Sequence, residues 1–221
     1  MNNKYNIGII GGTGDAGTGL AIRLATAGHS VVLGSRAEAR AKEVVNDIST
    51  KYNLSGIVGS ENDAAAMCEV VVIATPWDAT LATLSPLVDN LKNKTVISMV
   101  NSMIFEDKEM HSLLPAMGSM ALEIMRIIDS DKVTGAFHHM PAKIMLNLNK
   151  KLDYDVVVFG DNSESIDVTL DVVNSMAGLR GVFVGSSRLS FAVESFTSVL
   201  VSASILHKGH AAIKFTGIIP K

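Results

Sequence analysis

The chain has 221 residues, 48% of them hydrophobic and 19% charged, with a formal net charge of −3. That size suits one large α/β domain with a sizeable core, and the slight acidity excludes electrostatic capture of nucleic acid or an anionic membrane. A single cysteine, Cys68, excludes a disulfide framework and points to a reducing cytoplasm.

Residues 5–10 form a short apolar run that predicts a buried strand. Gly12-Thr13-Gly14-Asp15-Ala16-Gly17 follows and fits G-x-G-x-x-G, and Leu20, Ala21, Leu24 and Ala27 then recur at helical spacing up to Gly28. Strand, glycines and helix in that order are the context that makes this motif a dinucleotide fingerprint. On this reading Gly12 permits the tight turn, Gly14 lets the backbone approach a pyrophosphate, and Gly17 lets the helix pack close to the strand. The helix start adds free N–H groups and a positive dipole end.

A second strand over 30–33 ends in Gly34-Ser35-Arg36. An Asp or Glu at this junction would accept from a ribose 2′-hydroxyl; a hydroxyl and a guanidinium suit a 2′-phosphate instead. Arg40 lies one helical turn further on, either as a second positive charge for that phosphate or as a solvated surface residue. A helix is predicted over 37–52, a third strand over 56–59 and a short helix over 62–67. Residues 70–74 are a β-branched run, hence a strand buried on both faces. Thr75-Pro76-Trp77 leaves its C-terminal end, where doubly wound sheets bind ligands. Trp77 either walls a cofactor or caps the next helix. A fifth strand over 95–99 delivers Ser98 and Asn101 close to where a nicotinamide would lie.

From 105 to 128 the pattern is helical but broken at Pro115 and Gly118, which predicts a loop or kinked piece and then a helix from about Ser119. Strands are predicted over 132–137, 155–159 and 181–184, about eight in all. The sixth ends in His138-His139-Met140-Pro141-Ala142. Asn162 caps a helix with Ile166, Leu170, Val173 and Ala177 along one face. A long last helix over 188–209 has an apolar side of Leu189, Ala192, Val193, Phe196, Val199, Leu200 and Ala203. Its serines, with Glu194 and Lys208, mark it as a core or interface helix rather than a membrane span. No Cys-x-x-Cys or His-x-x-x-His spacing suggests a metal. His139 reads as a surface residue.

The chain resembles the F420-dependent NADP oxidoreductases. The matching residues are 9–14, Gly17, 19–21, 23–26, Gly28-His29, Gly34-Ser35-Arg36, Pro76-Trp77, His138, Pro141-Ala142, 178–180, 187–189, 193–195 and 213–215. The resemblance implies a Rossmann-like, doubly wound, mostly parallel sheet over 1–186 and a small helical segment over 187–221 that completes the cleft and contacts a second subunit in a homodimer. It implies hydride transfer between NADP(H) and coenzyme F420, a deazaflavin. The cofactor-binding turn would begin at Gly12, with the pyrophosphate cradled by Thr13, Gly14, Asp15 and Ala16, and the 2′-phosphate contacts would map to Thr13, Ser35, Arg36 and Arg40. The cleft walls would come from Thr75, Pro76, Trp77, Ser98, Asn101, Met140, Ala142, Thr197 and Ala211, with His138 as donor or orienting group. Asp15 and the stretch 98–103 depart from the family pattern, the latter replacing a proline-containing apolar segment in the cleft wall. Two other classes fit the residues: an NADPH-dependent reductase of another acceptor (a flavin, a ferric chelate or a small imine), and a non-catalytic NADP-binding redox sensor.

Overall fold

Four consecutive β-branched or apolar residues, Val70–Ile73, make a strand buried along its whole length at the middle of the sheet. The computed structural model describes residues 3–218. Chain order is β1 (Asn6–Ile10), α1 (Asp15–Thr26), β2 (Ser30–Ser35), α2 (Glu38–Tyr52), β3 (Ile57–Glu61), α3 (Asn62–Ala66) and β4 (Val70–Ile73). Then come α4 (Trp77–Leu84), α5 (Val88–Leu91), β5 (Thr95–Ser98), a hairpin of β6 (Met103–Glu106) and β7 (Glu109–Ser112), α6 (Met120–Ile128) and β8 (Val133–Gly135). The chain closes with α7 (Ala142–Met145), β9 (Tyr154–Gly160), α8 (Ser163–Asn174), β10 (Leu179–Gly185) and α9 (Ser190–Leu206).

The main sheet has eight strands in the order β10-β9-β8-β5-β4-β1-β2-β3. Six neighbours from β3 to β8 run parallel, and the β8–β9 pair is antiparallel. This is the doubly wound, mostly parallel sheet that the sequence predicts. Strand order reverses between β1 and β4, so a crevice for a ligand opens outside the strand C-termini at that point.

The fingerprint glycines act by space. A Cβ on Gly17 would sit 2.6 Å from the Gly12 Cα, and one on Gly12 would sit 2.6 Å from the Leu33 side chain. The left-handed residue of the turn is Gly11, at φ +69°, not Gly12 as the motif suggests. Arg23, in the last turn of α1, donates to the carbonyls of Ile144, Met145, Asn147 and Lys150. One guanidinium thereby fixes α7 and the loop after it. At the other end, Arg180 grips Asp155 through two bonds of 2.7 and 2.5 Å, and Asp155 also accepts from the Phe215 N–H.

Three predicted segments differ. Residues 103–112, expected from residue 105 on as a loop or kinked piece, form a hairpin; its loop, Asp107-Lys108, has φ of +50° and +68°, the two left-handed residues of a tight hairpin turn. On α8 the buried positions are Ser165, Thr169, Val172 and Val173, while Ile166 and Leu170 are only partly buried. The Thr169 hydroxyl meets Thr134 at 2.8 Å, so a polar seam runs under this helix.

The third difference is α9. Its buried positions are Ser190, Glu194 and Thr197, and Phe191, Phe196, Val199, Ile205 and Leu206 face outward. Residues 187–206 are long and apolar enough to cross a membrane by length and composition. The inner side, however, is bonded to the body of the protein. The Ser190 hydroxyl meets Ser119 at 2.7 Å, Ser195 carbonyl accepts from Ser112, and Ser202 accepts from the Met110 N–H.

Gly17→Ala weighs two effects. Alanine is favoured over glycine in a helix by about 1 kcal/mol, but its methyl would meet backbone that no rotamer change can move, and overpacking costs about 1–3 kcal/mol. The substitution is expected to lower the unfolding midpoint in a thermal melt; an unchanged or raised midpoint would show that α1 can stand off from the turn.

Candidate functional site

Two cavities flank the β1–α1 turn. A cavity of about 520 Å³ lies at the end of β2, with Ser35, Arg36, Glu61, Asn62 and Asp63 in its wall and α4 opposite. The Arg36 guanidinium makes no ion pair among the described residues. Arg40, one turn on, is exposed and paired with Glu43 at 2.8 Å. Ser35 is buried and its hydroxyl accepts from the Ala37 N–H at 3.4 Å. Asn62 ties this wall to the turn by accepting from the Gly11 N–H at 3.0 Å.

At the turn itself, α1 begins with Gly14 as its cap residue and no side chain bonded to the cap. Thr18 donates to the Gly14 carbonyl at 2.9 Å, leaving the N–H groups ahead of it at the mouth of the helix free for an anion. A Cβ on Gly14 would find nothing within 4 Å, so the backbone of Thr13, Gly14, Asp15 and Ala16 borders open space. The turn thus fits a pyrophosphate.

The second cavity, about 630 Å³, lies on the β5 and β8 side. Asp15, Asn101, His138, Met140, Ala142, Thr197 and Ala211 all line it. Those seven sequence-predicted residues, drawn from five separate segments, are therefore brought together. Thr75, Pro76, Trp77 and Ser98 are not in its wall. Thr75 is buried, shares a 2.8 Å hydroxyl bond with Thr80 and seats its methyl against Gly11. Pro76 and Trp77 open α4 toward solvent. Ser98 is fully buried, and its hydroxyl accepts from the Val100 N–H.

His138 and its neighbours carry most of the chemistry here. Phe137, a bulky residue, has φ +65°, a conformation that costs energy for any side chain and that concentrates at functional sites. That kink turns the chain out of β8. Asn101 spans from the β5 loop and donates to the His138 carbonyl at 2.8 Å, joining the two loops. The His138 ring stacks on Phe159 at 5.5 Å. Burial, helped by His139, pushes its imidazole down to about 3, so at neutral pH it is an uncharged ring with one donor and one acceptor. His139, predicted at the surface, is buried instead. Its Nε2 accepts from the Val157 N–H at 3.1 Å, which fixes the proton on Nδ1, and burial pushes it down to about 4.

Among the described residues, the buried side-chain polar atoms without a partner are Asn101 Oδ1, Ser102 Oγ, both nitrogens of His138, His139 Nδ1 and Thr197 Oγ1. Four of these five residues line the larger cavity, and Ser102 stands between two that do. Native interiors leave few such groups unpaired, so their convergence on one cavity marks it as a ligand site. Lys143, Ser204 and Lys208 also line it; no spacing in the sequence singles them out. Among the described residues no three His, Cys, Asp or Glu side chains are grouped to hold a metal.

A protein from Methanocaldococcus jannaschii named F420-dependent NADP reductase is 33% identical to this chain over 219 residues, 96% of each. The chain belongs to the F420-dependent NADP oxidoreductase family. A family model described as NADP oxidoreductase coenzyme F420-dependent matches residues 6–102. A protein of the same name from Methanothermobacter thermautotrophicus is 28% identical over 96% of this chain and 95% of its own length. The fold is also that of a crystal structure from Arthrobacter sp. FB24, provisionally described as an F420-dependent NADP reductase, with TM-score 0.78 and 20% identity over 92% of this chain and 95% of that one.

The buried histidines predict an acid response. The folded His138 and His139 refuse protons that the unfolded chain takes up from about pH 6.5 downward, so their stabilisation is complete above 6.5 and is lost as pH falls toward 4. Each contributes a slope of up to about 1.4 kcal/mol per pH unit. Glu194 opposes them: burial raises its carboxyl to about 7, against the pull of the Ala121 and Met120 N–H groups. The folded state therefore holds a proton there between about 7 and 4.5, and that contribution grows as pH falls. Urea unfolding between pH 7 and 4.5 should show stability falling with pH, and falling more steeply in Glu194→Gln. A flat profile in Glu194→Gln would mean the histidines titrate normally.

Proposed function

We propose that the protein transfers a hydride between NADP(H) and the deazaflavin coenzyme F420. The observation that carries this reading is the convergence of unpaired buried polar groups on a cavity beside a dinucleotide turn, in a chain of this family. When bound, nicotinamide and deazaflavin supply the hydride chemistry between them, and alignment at close range accounts for most of the rate. The chain's own part is to bind and orient. Gly14 and the free N–H groups of α1 receive the pyrophosphate. Ser35 and Arg36 receive the 2′-phosphate, with Arg40 in reserve once it leaves Glu43. His138, uncharged, offers an N–H at the cavity for charge developing on the acceptor ring. Thr75 supports the turn from outside the cavity, its methyl against Gly11.

Glu61 and Asp63 stand in the same wall as Arg36, so the preference for a phosphorylated nucleotide rests chiefly on that guanidinium. NADPH is expected to bind at least tenfold more tightly than NADH, about 1.4 kcal/mol. In a stopped-flow experiment NADPH absorbance should fall on adding F420. Arg36→Ala should erase most of the preference and leave NADH binding intact. Equal binding of both nucleotides by the wild type would refute the phosphate assignment, and no oxidation with F420 would refute the acceptor.

The outward face of α9 supports a homodimer. Phe196 is 47% exposed, Val199 54% and Leu206 77%, and Ile104 and Phe105 of the adjoining hairpin are also exposed. An apolar surface of this extent on a helix bonded inward by polar groups is suited to an isologous contact. The free, buried Cys68 fits a reducing cytoplasm. Light scattering at micromolar concentration is expected to give twice the chain mass, and Phe196→Glu to halve it; a monomeric wild type would overturn the dimer.

A further inference from the structure

We infer that Asn101 recognises the nicotinamide ring by accepting a hydrogen bond from its carboxamide N–H through Oδ1. The inference rests on the NADP reading above and adds a specificity-determining residue to it.

The argument begins with the sign of each unpaired atom. A hydroxyl can donate or accept, so Ser102 and Thr197 suit either kind of ligand group, and neutral His138 offers one of each. Asn101 differs. Its partner on one side is the His138 carbonyl, at 2.8 Å, which can only accept. The amide nitrogen must therefore face that carbonyl, and the remaining atom, Oδ1, is a fixed acceptor. It is buried and has no partner. Whatever completes it must bring an N–H or O–H, and an aromatic edge or a ring carbonyl would leave it worse off.

The place of Asn101 in the sheet names the donor. The nucleotide's phosphates belong at the β1 turn and its adenosine end at β2, so the nicotinamide end extends the other way, past β4 to β5. Asn101 lies just beyond the C-terminus of β5 (Ser98) and lines the cavity there with Asp15 of the phosphate turn. A primary carboxamide carries two N–H donors and is the group on a nicotinamide that can satisfy a fixed acceptor. Met103 and Met140 flank the site in the same wall, and their unbranched side chains can shift to admit the ring. The bond to His138 gives Asn101 a second consequence. Seating the carboxamide on Oδ1 also holds the loop that carries His138, so the nucleotide ring and the group facing the acceptor are positioned by one side chain.

The test needs no turnover. Equilibrium titrations would compare NADP⁺, its 3-acetylpyridine analogue (in which a methyl replaces the amide NH₂) and 2′-phospho-ADP-ribose, which lacks the ring. Wild type is expected to bind NADP⁺ about tenfold more tightly than the acetyl analogue, a difference of about 1.4 kcal/mol. Asn101→Leu and Asn101→Ala should bind the two dinucleotides alike, while 2′-phospho-ADP-ribose binds all three proteins equally and shows that each is folded. A wild type that does not discriminate, or variants that discriminate as well as wild type, would overturn the inference and leave the NADP reading standing. Failure of 2′-phospho-ADP-ribose to bind the wild type would overturn that reading, and this inference with it.

Discussion

Gly12 and Gly17 touch backbone to backbone, with no room for a side chain on either. That contact sets the distance between α1 and the central strand, and much else follows from it. It aims the free N–H groups of the helix at the crevice where strand order reverses. It also seats Arg23, about two turns along α1, against four carbonyls of residues 144–150. Because α7 follows the His138 loop directly, the helix proposed to receive the phosphates also anchors the far wall of the larger cavity. A displacement of α1 would be felt at both ends of a bound dinucleotide.

The larger cavity is built from groups that the protein leaves unpaired. Elsewhere the described interior satisfies its polar atoms with care: Thr134 with Thr169, and His29 with Tyr5 and Ser175. Around the cavity Asn101, Ser102, His138 and Thr197 are left wanting, and Phe137 is held in a left-handed conformation. Unpaired polar groups and backbone strain each destabilise a fold by about 1–3 kcal/mol. A ligand that supplies the missing partners recovers part of that, which is how a site can be held open and still bind specifically.

Much of this was legible in the residues. The glycine spacing places the turn, Ser35-Arg36 marks the end of β2 where a cavity opens, and the β-branched runs place the parallel strands. What stayed hidden has physical causes. The hairpin turn Asp107-Lys108 adopts two left-handed conformations without the Asn-Gly or Asp-Gly pair that announces them. His139 looks like a solvated residue until β9 arrives antiparallel to β8 and offers the Val157 N–H. The last helix is apolar on most sides, so periodicity cannot say which stripe faces the protein, and the stripe that does is Ser190, Glu194 and Thr197. Six of the residues expected in the cleft wall, Asn101, His138, Met140, Ala142, Thr197 and Ala211, line one cavity because strand ends and loops in this sheet order converge on one edge, whereas Ser98, still within β5, is buried in the sheet.

The inside-out character of α9 has a thermodynamic consequence. A helix that meets its own domain through hydrogen bonds buries little apolar area there, so it adds little to the heat capacity of unfolding of a single chain. The large apolar contribution of the same helix appears only when its outer face is covered. If a second copy covers that face, as proposed above, melting temperature should climb with protein concentration, because assembly would then supply the hydrophobic part of that helix's stability.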